Sequence, residues 1–463
     1  MSGFQDTIAA IATPLGKGAI GVIKISGEDA LPILKKLFKP KSSRCAFESR
    51  RVYYGEIVDP RTGEPVDEVL CVYMKAPYTY TREDVVEIYA HGGPFLLRKI
   101  LELVLLSGAR PAKPGEFTLR AYLNGRIDLA QAEAIHELIS ARSEEALKLA
   151  LRNLKGGLSQ KIRPLREKLF DILVQLESSI EFPEEDIDPK GYEEIARMIE
   201  DEILPVIEEL IRAYDQGRIY KEGIALVLAG KPNVGKSSLM NALLNEERAI
   251  VTPVPGTTRD FIEEEALIEG MPVRLVDTAG LRMTEDPVEK IGVERAKKKL
   301  KEADLVIWMG DASCLPDEED KKIFTELSHY NFLAVVNKID LEPNFLAEWE
   351  NFFKNLGVGE WLKISVREEK NLELLRKKIA EKIFKTHGKD IPEVAPNLRQ
   401  KASLEKAREF LLSALEQLRS PSCLPEIVVL EIKEAVNSLE EIIGKITSED
   451  VLDRIFSTFC IGK

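Results

Sequence analysis

The chain has 463 residues, 44% of them hydrophobic, and a formal net charge of −13. That length allows about two to four domains, and no apolar stretch reaches the length of a membrane span, so a soluble, cytoplasmic chain is expected. The acidic balance argues against general nucleic-acid binding, which needs clustered Lys and Arg, and five cysteines without a CxxC or a His cluster argue for a reducing compartment and against zinc.

The opening Met1-Ser2-Gly3-Phe4-Gln5-Asp6 lacks the basic-then-apolar order of an export signal. Residues 1–118 carry strand-like runs, among them Ile20-Gly21-Val22-Ile23-Lys24-Ile25 and Val66-Asp67-Glu68-Val69-Leu70-Cys71-Val72-Tyr73, separated by Gly and Pro turns; a small α/β domain is expected. Over 119–221 strands vanish, and runs such as Ala130-Gln131-Ala132-Glu133-Ala134-Ile135-His136-Glu137-Leu138-Ile139 show the spacing of amphipathic helices. Residues 222–385 alternate strand and helix as a doubly wound sheet requires, and helical texture returns over 386–463. The simplest arrangement is one discontinuous helical bundle with an inserted α/β domain, hinged at Gly217 to Gly223 and at His387 to Pro396.

The inserted region holds the most specific signal. The run Ile224-Ala225-Leu226-Val227-Leu228 leads into Gly230-Lys231-Pro232-Asn233-Val234-Gly235-Lys236-Ser237-Ser238, and Leu239-Met240-Asn241-Ala242-Leu243-Leu244 continues it: strand, phosphate loop, helix. Inward-turned amides around Asn233, Val234 and Gly235 suit phosphate oxygens, Lys236 suits the β- and γ-phosphates, and Ser237 suits Mg²⁺, with Ser238 in the same helix start. Asp277-Thr278-Ala279-Gly280 follows a short apolar strand, where Asp277 suits the metal's water shell and Gly280 the γ-phosphate. Asn337-Lys338-Ile339-Asp340 follows Phe332-Leu333-Ala334-Val335-Val336; the Asp340 carboxylate can accept two hydrogen bonds from a guanine edge, a donor pair adenine lacks. Ser365, in Ile364-Ser365-Val366, is placed to support the base, although Ala is the usual residue where Val366 stands. Order and spacing together resemble the GTPases of the Ras-like superfamily, which implies a Ras-like P-loop fold with GTP and Mg²⁺.

Where Ras-like enzymes carry a water-orienting glutamine, this chain has Leu281. Either hydrolysis is negligible or another group does that work. In the segment Thr252-Pro253-Val254-Pro255-Gly256-Thr257-Thr258, Thr258 is the natural second Mg²⁺ hydroxyl. Asn233 with oxygens from Thr252, Val254 and Thr257 resembles the K⁺ site of cation-dependent GTPases. Glu289 is the candidate for orienting water, and from charge alone a solvated acid at a helix start fits it too; Arg282 is a further catalytic candidate.

Matches outside the core extend the resemblance to the whole chain. Asp6-Thr7-Ile8, Ala12-Thr13-Pro14 and Ile25-Ser26-Gly27, then Thr81-Arg82-Glu83-Asp84-Val85-Val86-Glu87 with His91-Gly92-Gly93, then Pro114-Gly115-Glu116-Phe117-Thr118-Leu119-Arg120 through Gly125-Arg126, and the ending Cys460-Ile461-Gly462-Lys463, resemble the MnmE (TrmE) family of tRNA modification GTPases. The resemblance implies a homodimer whose N-terminal domains bind 5-formyl- or methylene-tetrahydrofolate. It implies the FAD protein MnmG (GidA) as partner, in a heterotetramer or larger assembly with the flavin on that partner, and tRNA wobble uridine as substrate. Folate contacts carried over by motif are Lys24, Glu87, Arg126 and Lys463, with the departure that the family often has Arg at Lys24 and in some members Lys at Arg126; a bidentate grip on carboxylate need not survive such exchanges. Cys460 then lies by the folate site as a candidate thiolate, while a lone cysteine near a terminus is also an inert small hydrophobe. The alternative reading is a non-modifying ribosome-assembly GTPase of the Era or EngA kind, which shares Asn233 and Leu281; a basic RNA-binding module is expected there, and this chain is acidic.

Overall fold

The computed structural model describes residues 6–41, 46–181, 189–245, 264–277, 300–301, 303–388, 391–445 and 448–463. Thr252, Val254, Thr257, Thr258, Thr278, Ala279, Gly280, Arg282 and Glu289 lie outside the described residues. By contacts the chain forms two compact units, one of residues 1–136, 153–199 and 406–463, the other of residues 137–152 and 200–405.

The first unit is built on a seven-stranded sheet of order β3-β4-β5-β6-β2-β1-β7. Its strands are β1 (Ile8–Ile11), β2 (Ile20–Ser26), β3 (Phe38–Pro40), β4 (Val52–Val58), β5 (Pro65–Met74), β6 (Val85–His91) and β7 (Arg110–Pro111). Period-2 alternation sends Ile23, Ile25, Cys71, Tyr73, Val86 and Ile88 into one core. There they meet α1 (Ala30–Leu37) and α2 (Pro94–Leu106). In α1 the buried residues Ala30, Ile33, Leu34 and Leu37 fall at helical spacing. On the other face, Lys24, Glu87, Val72 and Val52 form one cross-strand row, and Val22, Tyr89, Leu70 and Tyr54 the next. Val52, Tyr54 and Leu70 are exposed.

The same unit contains α3 (Glu116–Leu123), the start of α4 (Leu129–Ser140), the end of α5 (Glu144–Leu154) and α6 (Gly157–Glu181). α7 (Pro189–Arg197) leads into a π-helical turn (Met198–Ile203). Arg166 on α6 pairs with Glu440 on a later helix, Pro425–Ile443. The last helix, Glu449–Ser457, places Phe456, with Phe459 just beyond it, in a cluster with Leu129, Ala132 and Ile135.

The second unit carries a six-stranded sheet of order β13-β12-β11-β8-β10-β9: β8 (Ile224–Gly230), β9 (Glu264–Ile268), β10 (Met271–Asp277), β11 (Leu305–Asp311), β12 (Phe332–Asn337) and β13 (Trp361–Lys363). Only the β9–β10 pair is antiparallel. The parallel strands read as continuous apolar runs because both faces are covered: Leu226, Leu228, Ile307 and Val335 enter one core, Val227, Ala229, Trp308 and Val336 the other. α8 (Leu204–Lys221) precedes the sheet; α9 (Lys236–Asn245), α10 (Glu318–Leu327), α11 (Leu346–Asn355) and α12 (Leu372–His387) alternate with its strands, and α13 (Leu398–Leu418) follows.

The segment expected as the first hinge is mostly helix. α8 continues to Lys221, because Gly217 is where Ala395 packs: a Cβ there would lie 2.3 Å from the Ala395 Cβ. The break is confined to Glu222-Gly223, with Gly223 at φ 76°. Leu149, Ile219, Tyr220 and Ala395 join the core on the Leu226 face of the sheet, so helices preceding the inserted region and the non-helical segment following it pack on it.

Candidate functional site

The nucleotide-type site lies at the C-terminal edge of the parallel strands, where open α/β sheets bind ligands. β8 ends at Gly230, and the loop turns through Asn233 at φ 65° and Gly235 at φ 104° before α9 opens at Lys236. The Lys236 ammonium donates to the Gly230 and Lys231 carbonyls, both at 2.8 Å, so the charge is held over the loop. Ser237 and Ser238 stand in the first turn of α9. β10 ends at Asp277, whose backbone is in register with Leu228 of β8, so it reaches the sheet edge where α9 opens, and the hydroxyl of Ser237 in that first turn is of the type that suits Mg²⁺. Of the K⁺ set only Asn233 is described.

The base-recognition residues are tied to the phosphate loop. Asn337 Nδ2 donates to the Val234 carbonyl at 2.9 Å, and Asn337 Oδ1 accepts from the Val366 amide at 3.1 Å. Gly235 is glycine for the same reason, since a Cβ there would lie 2.4 Å from Asn337 Nδ2. Ser365 Oγ donates to Asp340 Oδ1 at 2.6 Å, and that bond leads the causes that keep the half-buried Asp340 carboxylate below its ordinary range. Asp340 is thereby an acceptor at neutral pH. Lys338, at φ 66°, pairs with Asp311 at 2.6 Å.

Two features escape sequence reading. Asp311 accepts from Lys338 and from Ser313 (2.7 Å), which hold it ionised against the opposing effect of burial. Lys231, inside the phosphate loop, pairs with Asp317 at 2.9 Å and with the buried Asp320 at 2.7 Å. These two aspartates form the capping box of α10. Asp317-Glu318-Glu319-Asp320 signals a helix start, but nothing in the sequence pairs it with Lys231.

A second site lies in the first unit. Lys24 and Glu87 face each other across β2 and β6. Burial depresses Lys24 to about 8; Glu87 opposes this, while Lys463 and Arg126 add to it, so the other three expected folate contacts all act on Lys24. The Lys24 ammonium lies 4.4 Å from the Tyr80 ring centroid and 5.0 Å from that of Phe117. Tyr89 donates to Glu87 Oε2 at 2.5 Å, and burial with that bond pushes the phenol up to about 12.

The terminal tail is seated here. The Gly115 and Phe117 amides donate to the Cys460 (3.4 Å) and Lys463 (3.1 Å) carbonyl oxygens. Gly462, at φ 93°, lies so close to β1 that a Cβ would be 2.7 Å from the Ile11 carbonyl oxygen. Cys460 is exposed. Beneath the turn, the fully buried Arg120 donates to Asp6 Oδ1 (2.7 Å), Glu83 Oε1 (3.1 Å) and Glu116 Oε1 (3.1 Å), while Arg110 bridges Asp6 and Glu116. The blocks that carry the family resemblance thus supply this ion network, whose charged groups are satisfied by one another rather than offered to a ligand.

Comparison with known proteins matches this organisation. The description "MnmE helical domain" covers residues 129–460, and "GTP-binding protein TrmE N-terminus" covers residues 7–126. The chain belongs to the MnmE family. It is 47% identical over 463 residues to the tRNA modification GTPase MnmE of Aquifex aeolicus, covering 99% of this chain and all of that one. It is similarly 47% identical to the namesake of Alkaliphilus oremlandii, with 99% of each covered, and 46% identical to that of Syntrophus aciditrophicus, with 99% of this chain and all of that one covered. The architecture is therefore that of the family: an N-terminal α/β domain, a helical domain and a P-loop GTPase domain.

Proposed function

We propose that this chain, a GTP hydrolase of tRNA modification, acts at C5 of the wobble uridine, taking a one-carbon unit from a tetrahydrofolate held in the first unit. The observation that carries this reading is the seating of Cys460 to Lys463 beside Lys24, Glu87 and Arg126, in a chain that also builds a complete guanine-type edge. On this reading the domains are 1–118 for folate and dimerisation, 119–221 with 386–463 as the helical domain, and 222–385 for GTP. Lys24, Arg126 and Lys463 attract the folate's carboxylates, and Glu87 accepts from its amino and ring N–H groups. Bound folate supplies the carbon at the oxidation level of formaldehyde or formate.

In the GTPase domain, Asp340 and Asn337 select guanine; Lys236 trades its loop carbonyls for phosphate oxygens; Ser237 and Thr258 hold Mg²⁺. Asn233, Thr252, Val254 and Thr257 hold K⁺, which supplies positive charge where an arginine finger acts in other GTPases. Glu289 orients the water that Leu281 cannot, with Arg282 next to the same motif. The exposed apolar residues Val52, Tyr54 and Leu70, on two neighbouring cross-strand rows of that sheet face, form the surface by which two copies pair. MnmG contributes flavin, and the reaction belongs to the cytoplasm. Among the described residues no helix is long and apolar enough to cross a membrane.

The test is mass spectrometry of tRNA nucleosides from a deletion strain complemented with wild type or Cys460→Ser. Loss of the modified wobble uridines, restored by wild type, is expected. Intact uridines in the deletion strain sink the tRNA assignment and favour the ribosome-assembly reading.

A further inference from the structure

Lys24 and Arg126 come from different elements, β2 and the turn after α3, yet both rest on one ring. The ammonium lies 4.4 Å and the guanidinium 4.7 Å from the Tyr80 centroid, and Arg126 Nη1 also donates to the Tyr80 carbonyl at 3.1 Å. The ring is itself fixed: its hydroxyl shares a 2.9 Å hydrogen bond with Thr118 Oγ1. Thr118 follows Phe117, whose amide holds the Lys463 carbonyl oxygen and whose ring lies 5.0 Å from Lys24. Two cations from distant parts of the chain thus share one aromatic side chain, and the residue bonded to its hydroxyl neighbours the one that holds the terminal backbone.

Like charges stay close only where each is held by something attractive. A carboxylate between Lys24 and Arg126 would hold both and also cancel the charge that an anionic ligand needs. The face of an aromatic ring attracts a cation through its quadrupole and leaves its charge in place. Glu87 offsets Lys24 only in part, because Tyr89 draws one of its oxygens.

We propose that Tyr80 is a positioning residue of this site: its ring fixes the spacing of Lys24 and Arg126 for an anionic ligand. The ligand's identity as a folate rests on the reading above.

The experiment is calorimetric titration of the full-length protein with 5-formyl-tetrahydrofolate, for wild type, Tyr80→Phe, Tyr80→Leu, Arg126→Ala and the Tyr80→Leu/Arg126→Ala pair. Tyr80→Phe keeps the ring and is expected to stay within about twofold of wild type. Tyr80→Leu is expected to bind about tenfold more weakly, the loss of two partly desolvated cation–ring contacts. Arg126→Ala should then cost no more than about a third as much in the Leu background as in wild type, since coupled residues are not additive. A structural role alone leaves the losses additive, and additive losses overturn the proposal. If Tyr80→Leu does not fold, Tyr80→Met carries the same comparison. If wild type takes up no 5-formyl-tetrahydrofolate, the folate reading falls, and Lys24 acetylation at about pH 7, where the ammonium and so its ring contact is present, decides Tyr80 without ligand. Faster acetylation in Tyr80→Leu than in Tyr80→Phe supports the positioning role; equal rates overturn it.

Discussion

Single side chains carry two testable consequences. Lys231 stands between the phosphate loop and the start of α10: its ammonium answers Asp317 and Asp320, and its carbonyl accepts from Lys236. Burial raises Asp320 above its ordinary range even with Lys231 opposing it. Lys231→Met leaves that carboxylate buried without its cation, so the GTPase domain should lose about 2 kcal/mol and hold GTP more weakly, with Lys231→Arg restoring most of both. The three tryptophans, Trp308, Trp349 and Trp361, all lie in the second unit, so the midpoint of a tryptophan-monitored urea transition reads this domain; an unchanged midpoint removes the role. Lys24 makes the pH prediction. Its affinity for the proton falls from 10.5 to about 8 on folding, so the unfolded chain binds more protons between those values and stability rises with pH across that window. Below pH 8 the full cost, roughly 3 kcal/mol, is present, offset in part by the cation–ring contacts. Lys24→Met should therefore protect β2 from hydrogen exchange at pH 7, lose that advantage as pH climbs towards 10.5, and lose folate binding throughout. A difference that does not narrow with pH rules out titration of Lys24 as its source.

At the scale of elements, what was legible followed from local pattern. β8 and the loop after it could be read because a continuous apolar run ends in glycines and a helix start, and every described residue expected there lies at that edge. The α/β texture of the first domain and the helices flanking the inserted region were likewise visible in their periods of 2 and 3.6. The buried network under the tail was not, since Arg120 meets Asp6 across 114 residues and neither residue alone announces a partner. Nor was the reason for glycine in the terminal motif. Gly462 needs a positive φ and closes to Ile11 and Ala12; Gly115, at φ 67°, does the same against Phe456, where a Cβ would lie 2.6 Å from the carbonyl oxygen. Gly462→Ala should therefore unseat the last residues at a local cost of about 1 kcal/mol for the left-handed backbone, with the clash added. The expected signature is faster alkylation of Cys460 and about tenfold weaker folate binding, with GTP turnover and the tryptophan transition unmoved. Unchanged alkylation and affinity would mean that the tail does not depend on this contact.

For the whole molecule, the question is how a change at the nucleotide reaches the rest of the chain. In the second unit Lys221 closes α8 just before β8; its ammonium donates to Glu137 Oε1 at 2.9 Å and to the Ala395 carbonyl at 2.7 Å. Glu137, on α4, and Ala395, which follows the last helix of the GTPase sheet, both belong to that unit, so within it one cation ties together the segments by which the chain enters and leaves the inserted domain. Gly217 lets Ala395 pack against α8 directly beside this tie. Such a contact couples two segments only if it is stronger in one state than in another, and a partly buried cation with two directional acceptors suits that role because displacement of either acceptor leaves charge poorly compensated. Lys221→Met should hence leave GTP affinity and turnover within about threefold of wild type, since the hydrogen-bond partners of Lys221 among the described residues, Glu137 and Ala395, are not nucleotide-binding residues, while wobble-uridine modification falls about tenfold or more, the size of a typical coupling energy. Lys221→Arg, which keeps the charge, should recover much of the loss. Steady-state GTPase assays beside nucleoside mass spectrometry of complemented strains make the comparison: equal losses in both activities reduce Lys221 to a structural tie, whereas loss confined to modification places it on the route between hydrolysis and the tRNA reaction.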